Sequence, residues 1–199
     1  MHNQTKNLFL FLILVLGSLS LSAQRESRKL SPEILFKDRY LASKGIYGIL
    51  PLKDGEHYTR LQNDTLFIYS YKTGQKNGYL VTGSNIITEK GDTLELSDFS
   101  FSDDQKKMLI AVNSEAIYRH SSISDYYVYD LDSKKVTAVS DAGKQRLVSF
   151  SPDGSKVAFV RNNNLFIKDL ISLTETPVTT DGLNNSIIYG TTDWVYEEE

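Results

Sequence analysis

The chain has 199 residues, a formal net charge of −3 and no cysteine. Without cysteine there is no disulfide framework, no thiol nucleophile and no thiolate metal site. The mildly acidic balance, with no basic stripe carrying interleaved aromatics, argues against a nucleic-acid partner.

In chain order, the first element is an apolar run at residues 8–16, preceded by Lys6 and followed by Gly17, Ser18, Ser20, Ser22 and Ala23. That is the charged, apolar and small-residue order of a secretory signal peptide, with a cut expected after Ala23 or after Ser22. The expected organisation is therefore a signal peptide at 1–23 and one mature segment at 24–199. Its removal takes away Lys6 and no acid, so the mature chain is slightly more acidic. The run is shorter than the roughly 20 residues of a spanning helix. Export to the periplasm, the medium or the outer surface is expected, with anchoring by an uncleaved N-terminal helix as the alternative.

Ser31-Pro32-Glu33 ahead of Ile34-Leu35-Phe36 is a helix-start signal and predicts one short helix. Beyond it, short apolar or alternating runs are separated by Gly, Asn, Asp and Ser, the pattern of strands and turns. Residues 57–61 and 65–69 flank Asn63-Asp64, and residues 126–131 and 135–139 flank Asp132-Ser133. Both read as hairpins.

The chain also repeats itself. Residues 99–110 recur as 148–159, and residues 126–131 recur as 165–170 and more faintly as 66–71. In Ser151-Pro152-Asp153-Gly154 the turn chemistry is explicit: Pro sets φ, Asp bonds nearby backbone and Gly accepts φ > 0. Four-stranded units repeating every 40–50 residues or so are what a β-propeller produces. One whole blade is predicted at 145–179, with strands at 145–151, 156–161, 165–169 and 175–179. The fold class is all-β, a partial β-propeller of four-stranded antiparallel blades; a β-sandwich would have no reason to repeat at this length. Extra chain at 113–124 and after Asp181 interrupts the repeat. Such insertions form loops on one face, often the binding face, so the two are expected to meet there.

The chain's candidate chemistry lies in those insertions. There is no Gly-x-Ser-x-Gly motif, and His57 and His120 sit in no pattern suggesting a triad, so no catalytic residue is assigned. No spacing resembles a metal site, and no cofactor is expected. The chain ends Thr192-Asp193-Trp194-Val195-Tyr196-Glu197-Glu198-Glu199. Asp193 is placed to cap a short helix on which adjacent glutamates stand about 100° apart and could share one cationic ligand. A solvated acidic run is the other reading.

This last stretch resembles the signature of the dipeptidyl peptidase IV family of serine exopeptidases. Tyr118-Arg119-His120-Ser121 and Asp54-Gly55-Glu56-His57-Tyr58-Thr59 are similar to further segments of that family. The resemblance implies a β-propeller whose short helical insertion carries two glutamates, here Glu198 and Glu199, that hold a substrate's free N-terminus. It implies that Arg119 contacts a substrate carbonyl. It further implies removal of N-terminal dipeptides with Pro or Ala second, by a Ser-Asp-His hydrolase domain that is not in this sequence, and commonly a homodimer. The partner so implied is a peptide with a free N-terminus. Tripeptidyl enzymes share the architecture; the adjacent glutamates lean toward dipeptidyl release. On this reading the chain is the N-terminal, truncated part of such a peptidase. The alternative is a non-catalytic propeller module that binds a peptide or protein.

Overall fold

The computed structural model describes residues 29–38, 41–42, 45, 47–193 and 195–196. The segment expected to be a signal peptide, Trp194 and the three terminal glutamates lie outside them. The chain divides into two units, at Met1–Gly45 and Ile46–Glu199. In the first, the helix start at Ser31 yields five helical residues, Glu33–Lys37. The Ser31 hydroxyl accepts the Ile34 N–H at 3.3 Å. Asp38 N–H reaches back five residues to Glu33, so the turn is of the wider π type.

The second unit holds three four-stranded antiparallel sheets. Sheet 1 is β1 Tyr47–Pro51, β2 His57–Gln62, β3 Thr65–Ser70 and β4 Lys76–Thr82. Sheet 2 is β5 Asp98–Phe101, β6 Lys107–Ala116, β7 Ser122–Asp130 and β8 Val136–Ala138. Sheet 3 is β9 Arg146–Phe150, β10 Lys156–Arg161, β11 Asn164–Asp169 and β12 Glu175–Pro177. Within each sheet the strands lie side by side in chain order. The strands of the blade predicted at 145–179 fall within one or two residues of their expected places.

The repeat is visible in individual hydrogen bonds. Between the first two strands of each sheet, a tight turn closes through Gly55 N–H to Leu52, Gln105 N–H to Ser102 and Gly154 N–H to Ser151. The closing residues have φ of 70°, 56° and 65°, so two of the three turns use glycine, which adopts that conformation without strain. Asp54, Asp104 and Asp153 sit at matching places, and each Oδ1 accepts the backbone N–H two residues on. Between the last two strands of sheets 2 and 3, Asp130 and Asp169 each accept the N–H and hydroxyl of a serine three residues on.

Packing follows from strand alternation. Sheet 2 lies between two cores. Met108, Ile110 and Tyr129 pack with Leu66 and Val81 of sheet 1 and with Ile86, Leu94 and Leu96 of the connecting segment. Leu109 and Val128 face the other way and pack with Val139, Val157 and Phe159. Four consecutive residues of β6, Met108–Ala111 by position, are therefore buried, as expected for a strand covered on both faces. Phe159 is fully buried and stacks on Phe166 at 5.4 Å. Polar ties join neighbouring sheets: Gln105 bonds both Lys53 N–H and the Pro51 carbonyl, and Ser124 exchanges backbone bonds with Gln145.

Candidate functional site

In an antiparallel sheet whose strands run in chain order, connections alternate between two edges. The strand 1–2 and 3–4 turns share one edge; the strand 2–3 turns and the links between sheets share the other. In sheets 1 and 3 the strand 2–3 turn is only two residues, Asn63-Asp64 and Asn162-Asn163. All four residues have φ between 46° and 60°, the type I′ geometry in which Asn and Asp are favoured.

Sheet 2 departs from this at the same place. The extra chain at 113–124, expected to be a loop, is mostly a continuation of the hairpin. β6 and β7 stay paired through Glu115↔Ile123 and Ala116↔Ser122, with a bulge between Val112 and Glu115. The expectation of a loop fails because the alternation carries on once the bulge absorbs a residue, with Asn113 at φ 52°. Only residues 117–121 form the tip, closed by Ile117 and Tyr118 N–H groups on the Ser121 carbonyl. Arg119 is exposed at this tip beside Tyr118. The foot is braced: Asn113 Nδ2 donates to Asp125 at 3.0 Å, the Ser114 and Ser124 hydroxyls meet at 2.8 Å, and Lys144 pairs with Glu115 at 2.8 Å. These contacts brace the hairpin that presents Arg119.

The second insertion follows β12 and leaves from the same edge. Thr179 Oγ1 accepts the Leu165 N–H and donates to Asn164 Oδ1, which also accepts the Gly182 N–H at 2.9 Å. Tyr189 N–H then returns to the Asn163 carbonyl at 3.0 Å. The chain is thereby laid over the Asn162-Asn163 turn before it reaches the acidic end. There Asp193 Oδ1 accepts the N–H groups of Val195 and Tyr196, at 3.0 and 3.3 Å. That is the bonding of the expected N-cap. The helix it would start, with Glu198 and Glu199, falls outside the described residues.

The histidines read differently in space. His57 Nδ1 lies 2.7 Å from Asp54 Oδ2, and its Nε2 lies 3.0 Å from Asn77 Nδ2. The sequence gives no reason to expect that acid–histidine pair, because Asp54 also serves the β1–β2 turn. Backbone donation from Glu56, then the hydrogen bond from His57, hold the Asp54 carboxyl below its usual range. The far side of the ring meets an amide rather than a hydroxyl, so this is not a nucleophile-activating array. Among the described residues no cluster of three or more His, Asp or Glu side chains is arranged to hold a metal.

Comparison with known proteins places this geometry. The family profile described as "Dipeptidyl peptidase IV (DPP IV) N-terminal region" matches residues 102–199. Dipeptidyl aminopeptidase B of Saccharomyces cerevisiae is 34% identical over 143 residues, covering 71% of this chain and 17% of that protein. A probable dipeptidyl-aminopeptidase B of Aspergillus terreus is 40% identical over 101 residues, 49% of this chain and 11% of that protein. The crystal structure of Porphyromonas gingivalis dipeptidyl peptidase 4 superposes with a TM-score of 0.75 at 35% identity, over 87% of this chain and 25% of that one. The chain thus spans about a sixth to a quarter of the length of these two longer matches.

Proposed function

We propose that this chain, which belongs to the dipeptidyl peptidase IV family through its N-terminal region, is the substrate-recognising propeller segment of an exported serine peptidase that removes N-terminal dipeptides with Pro or Ala second. The observation that carries the reading is the shared edge. The Arg119 hairpin and the segment capped by Asp193 both leave the sheets there.

An exopeptidase must measure distance from a chain end, and the distinguishing group of that end is its α-ammonium. Glu198 and Glu199 supply charge-assisted hydrogen-bond acceptors for it. Arg119 supplies a permanently charged donor to a carbonyl of the same peptide. Bond cleavage falls to a Ser-Asp-His domain of the whole protein, for which no residue of this chain is a candidate. A dimer of the whole protein is part of the same proposal.

The test uses the complete gene. A hydrogen bond to a charged group is worth about 1.5–3 kcal/mol, so Glu198→Gln, Glu199→Gln and Arg119→Ala should each lower kcat/KM by about ten- to a hundredfold. N-acetylated substrates should fail with the unmutated enzyme. If all three variants keep full kcat/KM, or acetylation makes no difference, the acidic end is a solvated charge run. The 199-residue chain alone should release no dipeptide from a Gly-Pro chromogenic substrate.

A further inference from the structure

The β1–β2 and β3–β4 turns of sheet 1 share one edge, and three polar residues meet there. Asp54 lies in the first turn, His57 opens β2, and Asn77 is the second residue of β4. The strand between β2 and β4 sets only the small Ser70 opposite His57, so the imidazole reaches across it. Its Nδ1 lies 2.7 Å from Asp54 Oδ2 and its Nε2 lies 3.0 Å from Asn77 Nδ2. The other Asp54 oxygen accepts the Glu56 and His57 N–H groups, each at 2.9 Å. The turn itself therefore anchors the ring and aims it at the amide.

Asn77 is followed by Gly78, the one Asn-Gly pair of the sequence. The amide carbon of an asparagine can close a ring on the next residue's backbone nitrogen, and a glycine there has no Cβ to crowd the attack. The ladder pairs Tyr69 with Lys76 and Ile68 with Gly78. Asn77 is thus the extra residue of a bulge, outside the regular pairing. Both residues are exposed, so water enters and a leaving group departs freely. We propose that Asn77 is a self-modification site, deamidated through a succinimide with His57 as proton donor to the departing nitrogen. Gly78 N bonds to Asn77 Cγ and gives up its proton to solvent. In the tetrahedral adduct Nδ2 is a basic amine. It takes a proton from protonated His57 Nε2, and the Cγ–Nδ2 bond breaks with its electron pair leaving on ammonia. Water then opens the ring at either carbonyl, giving aspartate or isoaspartate, and solvent returns the proton to Nε2. The net change is one water taken up and one ammonia released. Asp54 keeps the Nδ1 proton in place throughout. Either product sets a second carboxylate beside His57, opposite Asp54, and isoaspartate lengthens the backbone of the bulge by one carbon. This site lies on the other edge from the Arg119 hairpin and does not rest on the peptidase reading.

The test follows the fragment carrying Asn77 by peptide mapping and isoaspartate labelling, in the protein expressed from the complete gene and held at neutral pH. Asn77 should convert to a mixture of aspartate and isoaspartate. Conversion should be faster in the native protein than in the same protein unfolded in guanidinium chloride, because unfolding parts His57 from the amide. A positioned general acid is a large part of such a step, so His57→Phe should slow the native rate by about tenfold or more. The same substitution should leave the rate of the unfolded chain unchanged. The proposal is overturned if Asn77 stays intact, if unfolding speeds its conversion or leaves it unchanged, or if His57→Phe converts at the wild-type rate. Should the His57 variant fail to fold, the comparison of native with unfolded wild type decides alone.

Discussion

Sheets 1 and 3 turn their middle strands in two residues, whereas sheet 2 runs the same two strands on past the edge and ends in the Arg119 tip. The frame below is shared down to single hydrogen bonds, as Asp54, Asp104 and Asp153 show. The difference teaches where this fold can be varied. A strand 2–3 connection sits outside both cores, so lengthening it leaves the packed faces of β6 and β7 in register. Stability resides in the frame; the hairpin tip is open to be shaped by a ligand.

The largest expected effect tests that division. Phe159→Ala, in the core between sheets 2 and 3, should cost about 3–5 kcal/mol. Tyr118→Ala and Arg119→Ala, at the tip, should stay within about 0.5 kcal/mol of wild type. Urea unfolding of the three variants decides it, and a tip substitution as costly as Phe159→Ala would end the comparison.

Next is the contrast between the two short turns. A Cβ on Gly182 would meet the Asn163 carbonyl oxygen at 2.4 Å, an obstacle in the backbone. On Gly83, the glycine after sheet 1, it would meet the Asp64 carboxylate at 2.2 Å, a side chain tied down by the Leu96 N–H at 2.6 Å. Gly182→Ala should therefore cost about 1–3 kcal/mol by displacing backbone, and Gly83→Ala a similar amount by breaking the Asp64–Leu96 hydrogen bond. Loss of hydrogen-exchange protection at Tyr189, whose N–H bonds the Asn163 carbonyl, should accompany the first substitution alone.

Smaller again is the turn itself. Asn163 has φ of 60°, so Asn163→Ala should cost about 1–2 kcal/mol, while Asn163→Gly should be nearly neutral. Thermal melts of the pair separate backbone strain from loss of the amide.

The smallest effect concerns acid. The Ser151 hydroxyl, then the Ser155 N–H and hydroxyl, lower the Asp153 carboxyl to about 2. Asp104 is lowered likewise, first by Ser102 and then by the Lys106 N–H. The folded values lie below the unfolded ones, so this stabilisation is present above the ordinary carboxyl range near 4 and is lost as pH falls toward 2. Melting temperature should be flat above about pH 5 and decline below it. Asp153→Asn should make that decline shallower; an unchanged decline would show that other groups carry it.

The sequence by itself determined the blades, because their signals are local. Asn63-Asp64, Ser151-Pro152-Asp153-Gly154 and the alternation on either side act within a few residues. It also pointed to Arg119, through the resemblance of Tyr118-Arg119-His120-Ser121 to a family segment. What it could not mark is whatever rests on a distant partner. β1 is interrupted by Gly48 and Pro51 and becomes a strand only through its pairing with β2. The alternation at 113–116 looks like loop until the bulge opposite Asp125 is known. Arg161 meets Glu175, and Gln105 meets the Pro51 carbonyl, only once the strands are side by side. Turn chemistry acts over a few bonds and is written in neighbouring residues. Burial and charge pairing act through space, and the tertiary structure alone decides which residues share that space.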